Sequence, residues 1–213
     1  MKIDFVSDVS CPWCAIGLKS LETALDRVGG DIKAELHFQP FELNPKMVPE
    51  GQDITEHLSQ KYGISPAQIA QNREAIRARG AAVGFEFSMG GRSRIYNTFD
   101  AHRLLHWAEG EGSGRQAALK HALLSAYFTE DQNPSDHELL LSKVAQVGLD
   151  VERARAILAS DEFTDDVRQR QQFYLQQGIN SVPAVIINDR HLISGGQPPE
   201  VFEQALRQIA AEG

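Results

Sequence analysis

The chain has 213 residues, 42% hydrophobic and 23% charged, which are ordinary globular values that exclude a disordered or fibrous protein and allow one domain or two lobes with a substantial core. A net charge of −8 leaves no basic footprint for nucleic acid or anionic lipid, and Arg73, Arg77 and Arg79 read as a solvated helix face. No apolar run approaches the ~20 residues of a membrane span, and Met1-Lys2-Ile3-Asp4-Phe5 shows no apolar leader segment, so a cytoplasmic location is expected.

Ile3, Phe5 and Val6 form a short β-type run, and Asp8-Val9-Ser10 leads into Cys11-Pro12-Trp13-Cys14. From Cys14 the apolar positions Leu18, Leu21, Leu25 and Val28 keep the spacing of one helix face. Pro12 suits the first helical turn, where its missing N–H costs nothing, and Gly29-Gly30 supplies the stop. Ile32 to Phe38 alternates strictly and is closed by Pro40, a strand pattern. Strand, helix and strand in this order form a βαβ unit.

The middle of the chain is helical. Asp53 with Glu56, Ser65-Pro66 with Gln68, and Ser135 with Glu138 match capping boxes. Helices are predicted at roughly 53–62, 65–79, 97–109, 113–128, 135–147, 150–159 and 162–177. Gly63, Gly80, Gly148 and Gly178 stand as stops, and Phe85-Glu86-Phe87 and the Gly90-Gly91-Arg92 loop interrupt the pattern. From Ile179 the β signal returns. Ala184-Val185-Ile186-Ile187 reads as a strand buried on both faces, Asn188-Asp189 as a hairpin turn, and Arg190 to Ile193 as the returning strand. Pro198-Pro199 opens a last helix with Val201, Phe202, Ala205, Leu206 and Ile209 inward. Neither end has enough strands for a stable sheet alone. Joined, residues 1–50 and 178–213 make an α/β unit with a mixed sheet of about four strands, and 51–177 is an inserted all-helical block.

Both cysteines of the chain lie in Cys11-Pro12-Trp13-Cys14. A redox dithiol, half of a zinc site and two core thiols compete. Zinc needs a second ligand pair, and the nearest downstream histidine, His37, stands alone on a strand-like run, so no metal site is expected. Core thiols fit poorly at a helix start. The redox reading leads, because a helix N-terminus stabilises a thiolate and the second thiol, one turn on, resolves the mixed disulfide. Cys11 is then the exposed nucleophile and Cys14 the buried resolver.

Other polar residues have plainer readings. His102 and His106 share a helix face but have no third ligand. Arg92 and Arg94 read by default as exposed loop charges. Asp8 is a strand-end residue or a group that tunes the thiol. Trp13 sits where side chains face a cleft rim and suits a substrate contact. Val182-Pro183 precedes the buried strand, where a proline begins a strand because it cannot donate to the ladder.

Phe5 to Cys14, Asn97-Thr98 with Ala101-His102-Arg103-Leu104, Gly178 to Pro183, and Ile193 to Pro199 together resemble the thioredoxin-like superfamily. More narrowly they resemble the DsbA-like oxidoreductases and their FrnE-like branch. The resemblance implies a thioredoxin-like fold with a large helical insertion. It also implies a cis Pro183 facing Cys11 and Cys14, and Val182 hydrogen-bonding an extended substrate beside Pro12 and Trp13. The expected activity is exchange of a Cys11–Cys14 disulfide with protein or small-molecule thiols, with no bound cofactor. The related 2-hydroxychromene-2-carboxylate isomerases and kappa-class glutathione transferases share the scaffold but carry serine at the first cysteine. They bring glutathione into view as a co-substrate and Asn97 as a cleft residue, against its plain reading as a helix N-cap. A glutathione-dependent isomerase or transferase, and a redox-sensing binding module, are the alternatives.

Overall fold

Strand β1 (Lys2–Ser7) is the axis of the molecule, whose computed structural model describes residues 1–88, 90 and 92–212 and, of Asp31, the backbone. It pairs in parallel with β2 (Glu35–Pro40) and antiparallel with β5 (Ala184–Ile187), which pairs antiparallel with β6 (His191–Ser194). The order β2-β1-β5-β6 is the expected mixed four-stranded sheet, made from the two ends of the chain. Phe5 lies between Phe38 and Val185 in register. Both faces of β1 are covered, so Asp4 is buried too, and it is held by Lys2 Nζ at 2.9 Å and Gln39 Nε2 at 2.7 Å. Asn188 and Asp189 both have positive φ, the two-residue turn that matches strand twist.

Two details of the strands differ from expectation. β2 starts at Glu35 rather than Ile32, because Gly29–Asp31 adds a 3-10 turn and Glu35 N–H is the first to reach Met1. Pro40 ends the strand inside it, paired with Ser7, which is tolerated because β2 is an edge. The outer side of that edge is closed by Gln116, which accepts from Phe38 N–H at 2.9 Å and donates to Phe38 C=O at 3.1 Å.

Helix α1 (Pro12–Val28) and helix α9 (Pro199–Ala211) pack together on the sheet. Phe5, Leu18, Leu21, Val185, Phe202 and Leu206 join in one core cluster. Val201, expected inward, is 41% exposed; the buried stripe of α9 is Phe202, Leu206 and Ile209. Between β2 and β5 run α2 (Ile54–Tyr62), α3 (Pro66–Ala82), α4 (Phe99–Glu109), α5 (Arg115–Phe128), α6 (His137–Gln146), α7 (Val151–Leu158) and α8 (Thr164–Gln176). A two-residue ladder of β3 (Gln52–Asp53) with β4 (Arg94–Ile95) had no sequence signal, being too short for periodicity. A second cluster, including Leu104, Leu119, Leu123, Leu140 and Ile157, lies within α4–α7.

Asp53 caps α2, and Ser65 with Gln68 forms a full capping box on α3. At α6 the cap is Asp136 rather than Ser135, whose hydroxyl donates instead to Asn97 C=O at 2.6 Å. Gly63 is a left-handed stop. Gly80 is not a stop, since α3 runs on to Ala82; a Cβ there would lie 2.5 Å from the Phe87 ring, so this glycine admits a packed aromatic. Gly91 of the expected Gly90-Gly91-Arg92 loop lies outside the described residues. Among the described residues no helix is long and apolar enough to cross a membrane.

Candidate active site

Cys11 is the N-cap of α1, with extended backbone angles, and its C=O accepts from Cys14 N–H at 3.1 Å. Pro12, at the first helical position, needs no partner for its nitrogen. Both cysteines are free thiols. Cys14 is fully buried on the inner face of α1, as expected. Cys11 is not the exposed thiol of the sequence reading: it is 3% exposed. The covering group is the loop before β5, whose Val182 C=O accepts from Cys11 Sγ at 3.7 Å. Cys11, Cys14, Val182 and Pro183 therefore meet, and the Val182–Pro183 peptide is cis.

The two thiols differ sharply in acidity. The neighbouring Cys14 thiol, despite burial, holds the Cys11 thiol below its ordinary value. N–H groups of Cys14 and Trp13 act the same way, as expected at a helix N-terminus. Burial pushes the Cys14 thiol well up.

Beneath them lies a buried polar cluster. Asp8 is fully buried. It accepts from Leu43 N–H at 2.7 Å, Thr98 Oγ1 at 2.8 Å, and Ser10 Oγ at 2.9 Å, with His102 Nε2 at 3.4 Å. Burial alone would raise the Asp8 carboxyl, but His102 and these donors bring it down to about 2. The cluster fixes the Asp8–Ser10 turn from which Cys11 emerges, and the Asp8 charge opposes a thiolate at Cys11. Lys120 of α5 is likewise buried, with its ammonium 6.0 Å from the centre of the Phe38 ring. Burial pulls its pKa down, and the nearby Cys14, Asp8 and Cys11 pull it up. Sequence reasoning passed over Lys120. The available signal was its place on one stripe with Gln116, Leu123 and Tyr127.

Arg92 and Arg94 are not free loop charges. Arg92 Nη1 donates to Ser10 C=O at 2.6 Å, and Arg94 bonds the carbonyls of Glu50 and Gly51. Trp13 is 39% exposed at the rim of the site. Asn97 is not brought to the thiols by any bond. Its amide donates to Met47 C=O at 3.1 Å and its oxygen accepts from Phe99 N–H at 2.8 Å, one residue before the α4 cap at Thr98. The His106 ring packs at a tilt against Phe163, with centroids 5.2 Å apart, as an ordinary core-edge histidine. Among the described residues no group of three or more His, Cys, Asp or Glu is arranged for a metal.

Two glycines let the distant segments close on α1. A Cβ on Gly17 would lie 3.1 Å from Pro183 Cγ, and one on Gly196 would lie 2.9 Å from Trp13 C=O. Gly196→Ala is expected to lower stability by ~1–3 kcal/mol, the usual range for overpacking, read from urea unfolding. Gly30→Ala, with open space around it, is expected to stay within ~0.5 kcal/mol. Equal effects would remove the close-approach argument.

Two free thiols one turn apart at the head of α1, beside the loop before β5, have the arrangement of a thioredoxin-like dithiol site. The DSBA-like thioredoxin domain profile matches residues 2–207. A probable DsbA oxidoreductase of Streptomyces coelicolor is 34% identical, with TM-score 0.89 over 100% of this chain and 91% of that one. YwbO of Bacillus subtilis is 28% identical over 205 residues, 96% of this chain and 94% of its own length. The cytosolic disulfide reductase DsbM of Pseudomonas aeruginosa, solved with GSH, shares the fold at 16% identity, TM-score 0.68, 99% of this chain and 100% of that one. The chain belongs to the DsbA-like thioredoxin domain family.

Proposed function

We propose that the protein is a cytoplasmic thiol–disulfide oxidoreductase that passes a Cys11–Cys14 disulfide to and from thiols of proteins or small molecules. The observation that carries this reading is the pair of free thiols one turn apart at the N-terminus of α1, with Cys11 Sγ 3.7 Å from the Val182 C=O of the loop before β5. In the reducing direction Cys11 thiolate attacks a substrate disulfide, forming a mixed disulfide and releasing the first substrate thiolate. Cys14 then loses its proton and attacks the Cys11 sulfur. The second substrate thiolate leaves, and two electrons have moved from protein to substrate. Oxidation is the reverse. Once Cys11 ionises, Val182 C=O loses its S–H donor and is free for a substrate N–H, with Pro12 and Trp13 flanking the exchange. Glutathione, present in the DsbM structure, is the small thiol we assign as co-substrate. The isomerase reading is less favoured, because Cys11 stands where those relatives carry serine.

Alkylation by iodoacetamide as a function of pH, followed by mass spectrometry, tests this. The Cys11 midpoint is expected below the ~8.5 of a free thiol. A midpoint at or above that value would remove the thiolate argument.

A further inference from the structure

Beside the first turn of α1 lies a small cleft, open to solvent, with Pro12 in its wall. Leu58 of α2 and Ile69 and Ile76 of α3 face Phe87 and Phe128 across it. Helix α3 buries only Ile69 and Gly80, and its two isoleucines both line this cleft. Arg73 and Arg77, read from sequence as a solvated face, are half-buried here and line it; Arg79 is exposed and does not. Arg92 completes the rim, its guanidinium 5.1 Å from the Phe128 ring centre while it holds Ser10 C=O. Arg73 reaches Gly90 C=O at 3.3 Å, and Arg77 pairs at 3.0 Å with Glu74, which is itself largely exposed. Among the described residues no carboxylate lines the cleft. In a chain of net charge −8, three arginines around an apolar floor beside Pro12, the residue after Cys11, form a local field of the opposite sign.

We infer that the cleft receives the body of a small disulfide substrate that is an apolar, ring-sized organic acid, its carboxylate toward Arg73, Arg77 and Arg92 and its disulfide toward Cys11. This rests on the exchange reading above and narrows it to a substrate class. Cys11 thiolate attacks the near sulfur and one organic thiolate leaves. Cys14 gives its proton to solvent and attacks Cys11, and the second organic thiolate leaves. The substrate disulfide has become two thiolates, the Cys11 thiolate and Cys14 thiol a disulfide, and one proton has passed to solvent.

The test is the reaction of the reduced protein with three probes in stopped flow, each rate divided by that of dithiothreitol under the same conditions. The probes are dithiobis(nitrobenzoic acid), aromatic and doubly charged; dithiodipyridine, aromatic and neutral; and dithiodipropionic acid, charged without a ring. The aromatic diacid is expected to exceed each of the others by about tenfold at low salt, with the gap to the neutral probe closing as salt rises. Arg73→Gln and Arg77→Gln are each expected to cut the preference for charge by about threefold, and Arg79→Gln to leave it unchanged. Equal normalised rates, or a preference indifferent to Arg73→Gln and Arg77→Gln, overturn the inference while leaving the exchange reading intact. Reaction of Cys11→Ser with dithiodipyridine at the wild-type rate would overturn the exchange reading itself.

Discussion

Cys11→Ser is expected to lower insulin reduction by more than ~10³-fold, as loss of an enzyme's nucleophile does, whereas Cys14→Ala is expected to attack and then stall. The asymmetry follows from the two environments. The nearby Cys14 thiol and the N–H groups of Cys14 and Trp13 lower the Cys11 thiol's pKa. Cys14 is fully buried, with its thiol pushed well up, so in the proposed exchange it is expected to attack only once Cys11 is tied in a mixed disulfide. Cys14→Ala therefore accumulates a covalent adduct of protein and substrate, visible by intact mass. Without the Cys14 thiol, the Cys11 alkylation midpoint is expected to move up toward the free-thiol value. Adduct formation by Cys11→Ser, with none by Cys14→Ala, would reverse the roles.

Asp8→Asn is expected to weaken the fold while making Cys11 more acidic. The Asp8 carboxyl titrates at about 2 rather than its ordinary value near 3.8, a difference corresponding to about 2 kcal/mol of native-state preference for the charge. A depressed folded-state pKa contributes stability that is fully present above pH ~4 and is lost as pH falls toward ~2. An asparagine has one oxygen and one amide where Leu43 N–H, Thr98 Oγ1 and Ser10 all donate, so at neutral pH the variant is expected to lose about 2–3 kcal/mol. Urea unfolding checks this, and the stability lost by the wild type between pH ~4 and ~2 should shrink in the variant. The same charge raises the Cys11 thiol, so its removal should lower the Cys11 alkylation midpoint. Unchanged unfolding at neutral pH would show that the cluster does not hold the Asp8–Ser10 turn.

Much of the scaffold was legible because the signals that build it are local. Leu18, Leu21 and Val28 mark the α1 face at helical spacing; Ser65 and Gln68 cap α3; Asn188-Asp189 turns the last hairpin. Each depends on residues a few positions apart. Where a local rule failed, a distant partner had intervened: Phe87 made Gly80 a packing position, and Asn97 drew the Ser135 hydroxyl away from capping.

By itself the sequence determined that a Cys-Pro-Trp-Cys motif opens a helix between two strands, since the proline, the spacing and the apolar face are all encoded within that stretch. Only the tertiary structure decided how the motif is set. Val182 covers Cys11 from 171 positions away, Thr98 supports Asp8 across 90, and Arg92 holds Ser10 across 82. Thiol acidity depends on which charges and donors lie within a few ångströms. A linear pattern that records neighbours three or four residues apart carries no trace of a lysine, a carbonyl or an arginine that folding brings from another element.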